Sequence, residues 1–276
     1  MIVIKIKGGL GNQLFEYAFG RYLSLKTGRK LKFDISYYAR KNNYRKFELD
    51  KFNIKFDGFI GLKENVFFKG AYYFPNFFKQ IYYFKEGKDE YNLEKMASKK
   101  ACYVDGYWQS EQYFKEIECE LREELILKKA FYSVDDVILQ KILTTNSVGI
   151  HIRRGDYITI PLNKPYRVCT LDYYQNALKL IKQKVSNPYC FVFSDDIEWV
   201  KKNIFFDLPF EYVQANSDYL DLQLMSLCKH NIMANSTFSW WGSWLNNNLE
   251  KIVIAPIVWR TDEIRKELYT DYQIRI

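Results

Sequence analysis

Four short runs carry most of the residues able to do chemistry: GIHIRRGDY at 149–157, FSDDIEW at 193–199, NSTFSWW at 235–241 and GGLGNQ at 8–13. Arg153 and Arg154 end an apolar run. Two adjacent guanidinium groups at such a place are unfavourable without an anion between them, and their planar forks match carboxylate or phosphate. Asn235, Ser236 and Thr237 stand where a helix begins, and a helix N-terminus offers an anion unbonded N–H groups and the positive end of its dipole. Together the arginines and this terminus describe a diphosphate site. His151 and Asp156 lie beside the arginines and are candidates for proton transfer; Glu16 and Asp34 are remoter ones.

Each feature also has a plainer reading. Ser and Asn before a helix usually serve as caps, and Ser194, Asp195 and Asp196 could cap a helix too. A histidine inside an apolar strand is more often a core residue than a catalyst, and Asp156 could simply pair with Arg154. Trp240 and Trp244, one helical turn apart, read as core rather than as a platform for a base.

The elements that must position these residues follow from periodicity. MIVIKIK alternates as a strand, GGLGNQ is a turn, QLFEYAFGRYLSLKT has helical spacing up to Gly28, and KLKFDIS alternates again. A later strand, CYVDGYW, precedes a capped helix in SEQYFKEIECELREELIL. Residues 40–100 show no clean period. From residue 146 onward, strand and helix alternate through SVGIHIRR, LDYYQNALKLIKQKV, YCFVFSD, DIEWVKKNI, FEYVQ, DYLDLQLMSLCK, HNIMAN, STFSWWGSWLNN and KIVIAP. That order predicts a parallel sheet with helices on both faces. Two α/β domains are expected, 1–145 and 146–276. Ligands of open parallel sheets bind beyond the carboxyl ends of the strands, and the chemical runs occupy those ends.

Composition bounds the rest. A chain of 276 residues, nearly half of them apolar, can bury a large core. The formal charge of +8 comes mostly from lysines scattered among glutamates, so nucleic acid is not an expected partner. The five cysteines lie far apart without a C-x-x-C pair, which argues against a disulfide framework and a zinc site. A cytoplasmic location is expected, peripheral attachment to the inner membrane being the alternative to a free protein. The opening apolar run is short and broken by Lys5 and Lys7, unlike a signal peptide or membrane span. Val66 to Lys85 is dense in aromatics and is expected to pack in the core, with a surface or an acceptor as the other use. There is no G-x-x-x-x-G-K-[ST] loop and no Asp-x-Asp, so a departing diphosphate would be neutralised without a metal.

The four runs resemble the hallmarks of the bacterial α-1,2-fucosyltransferases: GGLGNQLFEYA at 8–18, HIRRGD at 151–156, FSDDIEW at 193–199 and NSTFSWWGSWL at 235–245, in family order. Glu16 is the one departure, Gln being commoner there. The resemblance implies a glycosyltransferase-B fold, two Rossmann-like domains facing across a cleft, with GDP-fucose held mainly by the C-terminal domain and a galactose-terminated acceptor by the N-terminal one. It implies no cofactor or metal. Carried over by position, Arg153 and Arg154 grip the diphosphate, Asn235, Ser236, Thr237 and Phe238 complete its pocket, and Ser194 and Asp195 approach GDP. Gly9, Gly11, Asn12 and Gln13 form the loop facing the cleft from the other side. The general base stays open between Asp156, His151 and none. Rival readings are a fucosyltransferase of α-1,6 type, a nicotinamide-dependent oxidoreductase, in which Phe15 stands where G-x-G-x-x-G needs its third glycine, and a nucleic-acid-binding protein.

Overall fold

The computed structural model describes residues 1–41, 44–87, 91–131, 136–214, 217–263 and 265–276. The chain divides into two compact units, Met1–Lys128 and Lys129–Ile276.

The first unit is built on β1 (Ile2–Lys5), α1 (Leu10–Thr27), β2 (Leu31–Asp34), α2 (Leu62–Tyr73), β3 (Ile81–Lys85), α3 (Leu93–Ser98), β4 (Ala101–Asp105) and α4 (Glu118–Glu124). Its strands form one parallel sheet in the order β2-β1-β4-β3. The tight turn from β1 into α1 needs Gly8, whose φ of 78° is left-handed and whose Cβ would stand 2.8 Å from Asn12 Nδ2. Gly20 lets α1 lie close on the sheet, since a Cβ there would come within 3.2 Å of Ile4. Gly28 ends the helix in the left-handed conformation, as its place after the periodic run requires. The expected long helix after β4 is mostly broken into short 3-10 turns, and only Glu118–Glu124 is α-helical.

The stretch without a period contains α2, β3 and α3. Its aromatics divide: Phe68 packs with Val3 and Tyr103, whereas Val66, Phe67, Tyr73, Phe74 and Phe77 are exposed. Core packing therefore holds for only part of Val66 to Lys85.

The second unit comprises α5 (Asp136–Thr144), β5 (Asn146–Ile152), α6 (Gly155–Thr159), α7 (Leu171–Lys184), β6 (Pro188–Ser194), α8 (Ile197–Asn203), β7 (Phe210–Val213), α9 (Asp218–Leu227), β8 (His230–Ile232), α10 (Thr237–Leu245), β9 (Val253–Ala255) and β10 (Gln273–Arg275). The division falls before α5 rather than near Thr145, because Ile142 of α5 packs with Phe191, Phe193 and Met225. All six strands are parallel, in the order β10-β9-β8-β5-β6-β7. Alternation along the strands makes two cores. Val148, Ile150, Ile152 and Val192 meet Tyr173, Tyr174 and Ile181 of α7 on one face, while Phe191 and Phe193 meet Leu224 of α9 on the other. Trp240, Trp241 and Trp244 are buried, Trp240 stacking on Trp244 and Trp241 meeting both edge-on, as core residues do.

At the carboxyl edge of the first sheet, Asp105 takes ammonium protons from Lys5 at 2.8 Å and Lys7 at 2.7 Å and the Tyr83 hydroxyl at 3.1 Å. Burial opposes the charge, but the two lysines prevail and hold the carboxyl down at about 2. Because this folded value lies below the ordinary 3.8, the stabilisation is present in full above 3.8 and is lost as pH falls towards about 2. Asp105→Asn should destabilise the protein by about 1–3 kcal/mol at pH 7, read from urea unfolding. The gap from the wild type should narrow between pH 4 and pH 3, and a pH-independent gap would contradict the pairing.

Candidate functional site

In the second sheet the order of connection reverses between β5 and β8, which pair directly with Val148 opposite His230 and Ile150 opposite Ile232. Crevices at such reversals are the usual ligand sites of doubly wound sheets. His151 lies near the end of β5, beyond which run Arg153, Arg154 and Asp156; beyond β8 come Asn235, Ser236 and the start of α10.

Arg153 is bracketed by carboxylates. Its Nε and Nη2 donate to Asp156 Oδ1 at 3.1 and 2.6 Å, and Nη1 lies 3.0 Å from Asp195 Oδ2. The hydrogen bonds to Asp156 use two of the five N–H bonds of the guanidinium, and Asp195 meets it as an ion pair. Arg154 takes the other side: its backbone N–H donates to Asp195 Oδ1 at 2.9 Å, its Nε is 3.3 Å from Asp196 Oδ2, and its guanidinium lies 3.5 Å from the centre of the Trp199 ring. Asp195 thus fixes both arginines. Gly155 makes this possible, since a Cβ there would stand 2.4 Å from Asp195 Oδ2. Asp196 also caps α8 by accepting from Trp199 N, and Ser194 Oγ accepts from Asp196 N at 3.0 Å. The SDD run therefore caps α8 through Asp196, as one reading of it expected, while Asp195 clamps the arginines, a part the sequence did not suggest.

Ser236 caps α10, its Oγ accepting from Phe238 N at 3.2 Å. Thr237 is the first residue of that helix. Asn235 departs from its expected role: its amide donates to the carbonyls of Tyr166 and Trp259 at 2.8 and 2.9 Å, so it ties loops together instead of facing a ligand. Tyr157 joins the two strand ends, donating its hydroxyl to Asn235 O at 3.0 Å while Arg153 lies over its ring. Tyr166 stacks on Tyr157, and Arg260 lies over Tyr166. Periodicity did not single out Gly155, Tyr157, Tyr166 or Arg260; Gly155, next to the arginine pair, was the one legible signal.

His151 is buried, its Nδ1 has no hydrogen-bond partner, and its ring lies 5.3 Å from that of Phe238. Burial first, then the nearby Arg153 charge, push its pKa down to about 3. It is neutral at physiological pH and too weak a base for proton abstraction.

In the first unit the glycine run is mostly internal. Gly9 precedes α1 and Gly11 lies buried in its first turn. Gln13 is buried; it donates to the carbonyls of Gly8 and Lys46 and accepts from Glu48 N, so it holds a loop and does not face a ligand. Asn12 is half-buried and accepts from Gln109 at 2.9 Å. Glu16 and Asp34 fail as bases for physical reasons. Glu16 is fully buried and accepts from Lys7 N, and burial raises its pKa well above the ordinary value, which favours the neutral acid. Asp34 accepts from Ser36 N, Asn65 and the Tyr103 hydroxyl, a full complement for a buried carboxylate. That also disfavours the oxidoreductase reading, in which an acid near this point would bind a ribose.

Among the described residues no helix is long and apolar enough to cross a membrane. The chain is 37% identical to the Alpha-1,2-colitosyltransferase of Escherichia coli, over 94% of this chain and 92% of the relative. It is 33% identical to the O-antigen biosynthesis glycosyltransferase WbnK of Escherichia coli, over 98% and 99%. Among solved structures it is similar to the NodZ alpha-1,6-fucosyltransferase soaked with GDP-fucose, with a TM-score of 0.54 at 14% identity over 88% of this chain and 91% of that one. At that identity the likeness shows the fold alone, and the expected α/β, glycosyltransferase-B type fold is that of this chain. The model of Glycosyl transferase family 11 matches residues 67–275, and with these relatives it establishes that the chain belongs to that glycosyltransferase family.

Proposed function

We propose that this glycosyltransferase moves L-fucose from GDP-fucose to the 2-hydroxyl of a terminal galactose, with inversion to an α-1,2 linkage and without a metal. The observation that carries the reading is that Arg153 and Arg154 follow β5 and the start of α10 follows β8, two directly paired parallel strands whose following segments are tied by the Tyr157 hydroxyl on Asn235 O. In this reading the remaining Nη hydrogens of Arg153 meet the β-phosphate as negative charge grows on it, and the first amides and hydroxyl of α10 share the load. The sugar's anomeric carbon becomes oxocarbenium-like, the acceptor oxygen bonds to it, the bond to GDP breaks, and the hydroxyl proton leaves to Asp156 or to solvent. Asp156 is the more exposed candidate, since burial removes His151. A second donor has specific support: the 37% identical relative is a colitosyltransferase, so activated colitose is the alternative sugar. The α-1,6 alternative rests on a fold likeness alone.

The direct test supplies GDP-fucose and activated colitose in parallel with galactose-terminated oligosaccharides, in EDTA, and assigns the linkage by NMR. Fucose on the galactose 2-hydroxyl is expected. Colitose alone would move the assignment to the second donor, transfer to another hydroxyl would overturn the linkage, and loss of rate in EDTA would overturn metal independence. Arg153→Ala should lower turnover by roughly a hundred- to a thousand-fold while the circular dichroism spectrum is kept; a variant holding more than about a tenth of the rate contradicts the role. Gly155→Ala should lower kcat/KM about tenfold or more by displacing Asp195. Added to Asp195→Ala it should cost little further, and full additivity of the two losses would show that Gly155 acts otherwise.

A further inference from the structure

The proposed transfer assigns no role to an exposed apolar surface of the first unit, formed by α2 and the turn after it. Leu62, Val66, Phe67, Tyr73, Phe74 and Phe77 are between 49% and 87% exposed. Leu62, Val66 and Tyr73 recur at helical spacing on one side of α2, while the inward side carries Asn65, Phe68 and Ala71. Phe74 and Phe77 extend the outward side through the turn, on either side of the exposed Pro75. A helix apolar on two sides has a second surface to bury, and monomers rarely leave such a patch in water.

The charges around it restrict what covers it. Lys63, Lys69 and Lys79 are exposed at its margin, and among the described residues no acid pairs with them. Between residues 60 and 85 the sole acid is Glu64. Its carboxylate is already committed, accepting from Gly61 N at 2.8 Å and lying 3.2 Å from Lys32 Nζ. Apolar side chains ringed by uncompensated ammonium groups complement a layer of anionic headgroups over acyl chains: Phe and Leu enter the acyl boundary while Lys stays at phosphate depth. A second copy fits worse, because a twofold contact sets a patch against itself and would bring these lysines together.

We propose that α2 and the turn at 74–79 form the face on which this protein rests on an anionic lipid bilayer. The inference stands apart from the donor and linkage reading, and its test does not require sugar transfer. The purified full chain is sedimented with vesicles of phosphatidylglycerol and phosphatidylethanolamine, and with vesicles of phosphatidylcholine alone. Binding should be at least about fivefold stronger on the anionic vesicles, and more so at low salt. Phe74→Ser with Phe77→Ser should weaken it by about tenfold or more. Lys63→Glu with Lys69→Glu and Lys79→Glu should abolish the preference for anionic lipid. Both variants should keep the wild-type circular dichroism spectrum and melting temperature, since the changed side chains are exposed. Absence of wild-type binding, or equal binding by the phenylalanine variant, would overturn the proposal. So would a wild-type dimer in analytical ultracentrifugation that the phenylalanine variant dissociates, which would assign the face to a second copy.

Discussion

The second unit depends on balancing two adjacent guanidinium groups at the end of β5. Arg153 and Arg154 carry two positive charges; Asp156, Asp195 and Asp196, within 3.3 Å of them, carry three negative ones. The cluster is therefore not an open cationic patch. Part-buried arginines without carboxylates would be costly, so the aspartates hold the forks in a fixed geometry before any anion arrives. The same aspartates compete with an arriving diphosphate. Because Asp195 also accepts from the Arg154 backbone and Asp196 caps α8, neither can swing away cheaply. Under the proposed function the diphosphate is met by the remaining guanidinium hydrogens and by α10, and discrimination comes from geometry more than from net charge.

The first unit treats its polar strand ends differently. Asp34, Asp105, Glu16 and Gln13 all sit at its carboxyl edge, and each is committed to internal partners or buried. Glu86 accepts from the backbone of Tyr107 and Trp108 at 2.6 and 3.0 Å and holds Trp108 in the left-handed conformation at φ 54°. That places the indole against Phe19 and Phe84. These residues shape the loops at that edge, where Asn12 accepts from Gln109 and Lys7 lies over the Tyr107 ring.

Much of this was legible in the sequence where periodicity and punctuation agreed. From SVGIHIRR to KIVIAP each strand and helix appears close to where alternation placed it, because in a sheet covered on both faces local pattern and tertiary burial demand the same residues. The division expected after residue 145 lies instead after Lys128, because Ile138, Leu139 and Ile142 carry α5 onto the second sheet. The aromatic run at 66–85 misled, since aromatic content reports buriable area and not which partner buries it. At the site, residue types were readable and commitments were not. Asn235 and Gln13 have the chemistry of ligand-binding amides, but long-range carbonyls take their hydrogens, and only tertiary structure reveals those partners.

His151 shows how placement decides chemistry. It shares a face of β5 with Gly149, against the aromatic core and Phe238, two residues before a guanidinium whose charge resists a second positive charge nearby. Protonating it would bury an unpaired cation, so its contribution is volume and shape under the start of α10. Under the proposed function, proton acceptance then falls to the carboxylate bonded to Arg153 or to solvent. Such a site works best if bond breaking to the diphosphate runs ahead of bond making to the acceptor, because the acceptor hydroxyl then loses its proton late, when its oxygen is already strongly acidified. Under the proposed function the arrangement around β5 thus places the catalytic burden on stabilising the leaving group.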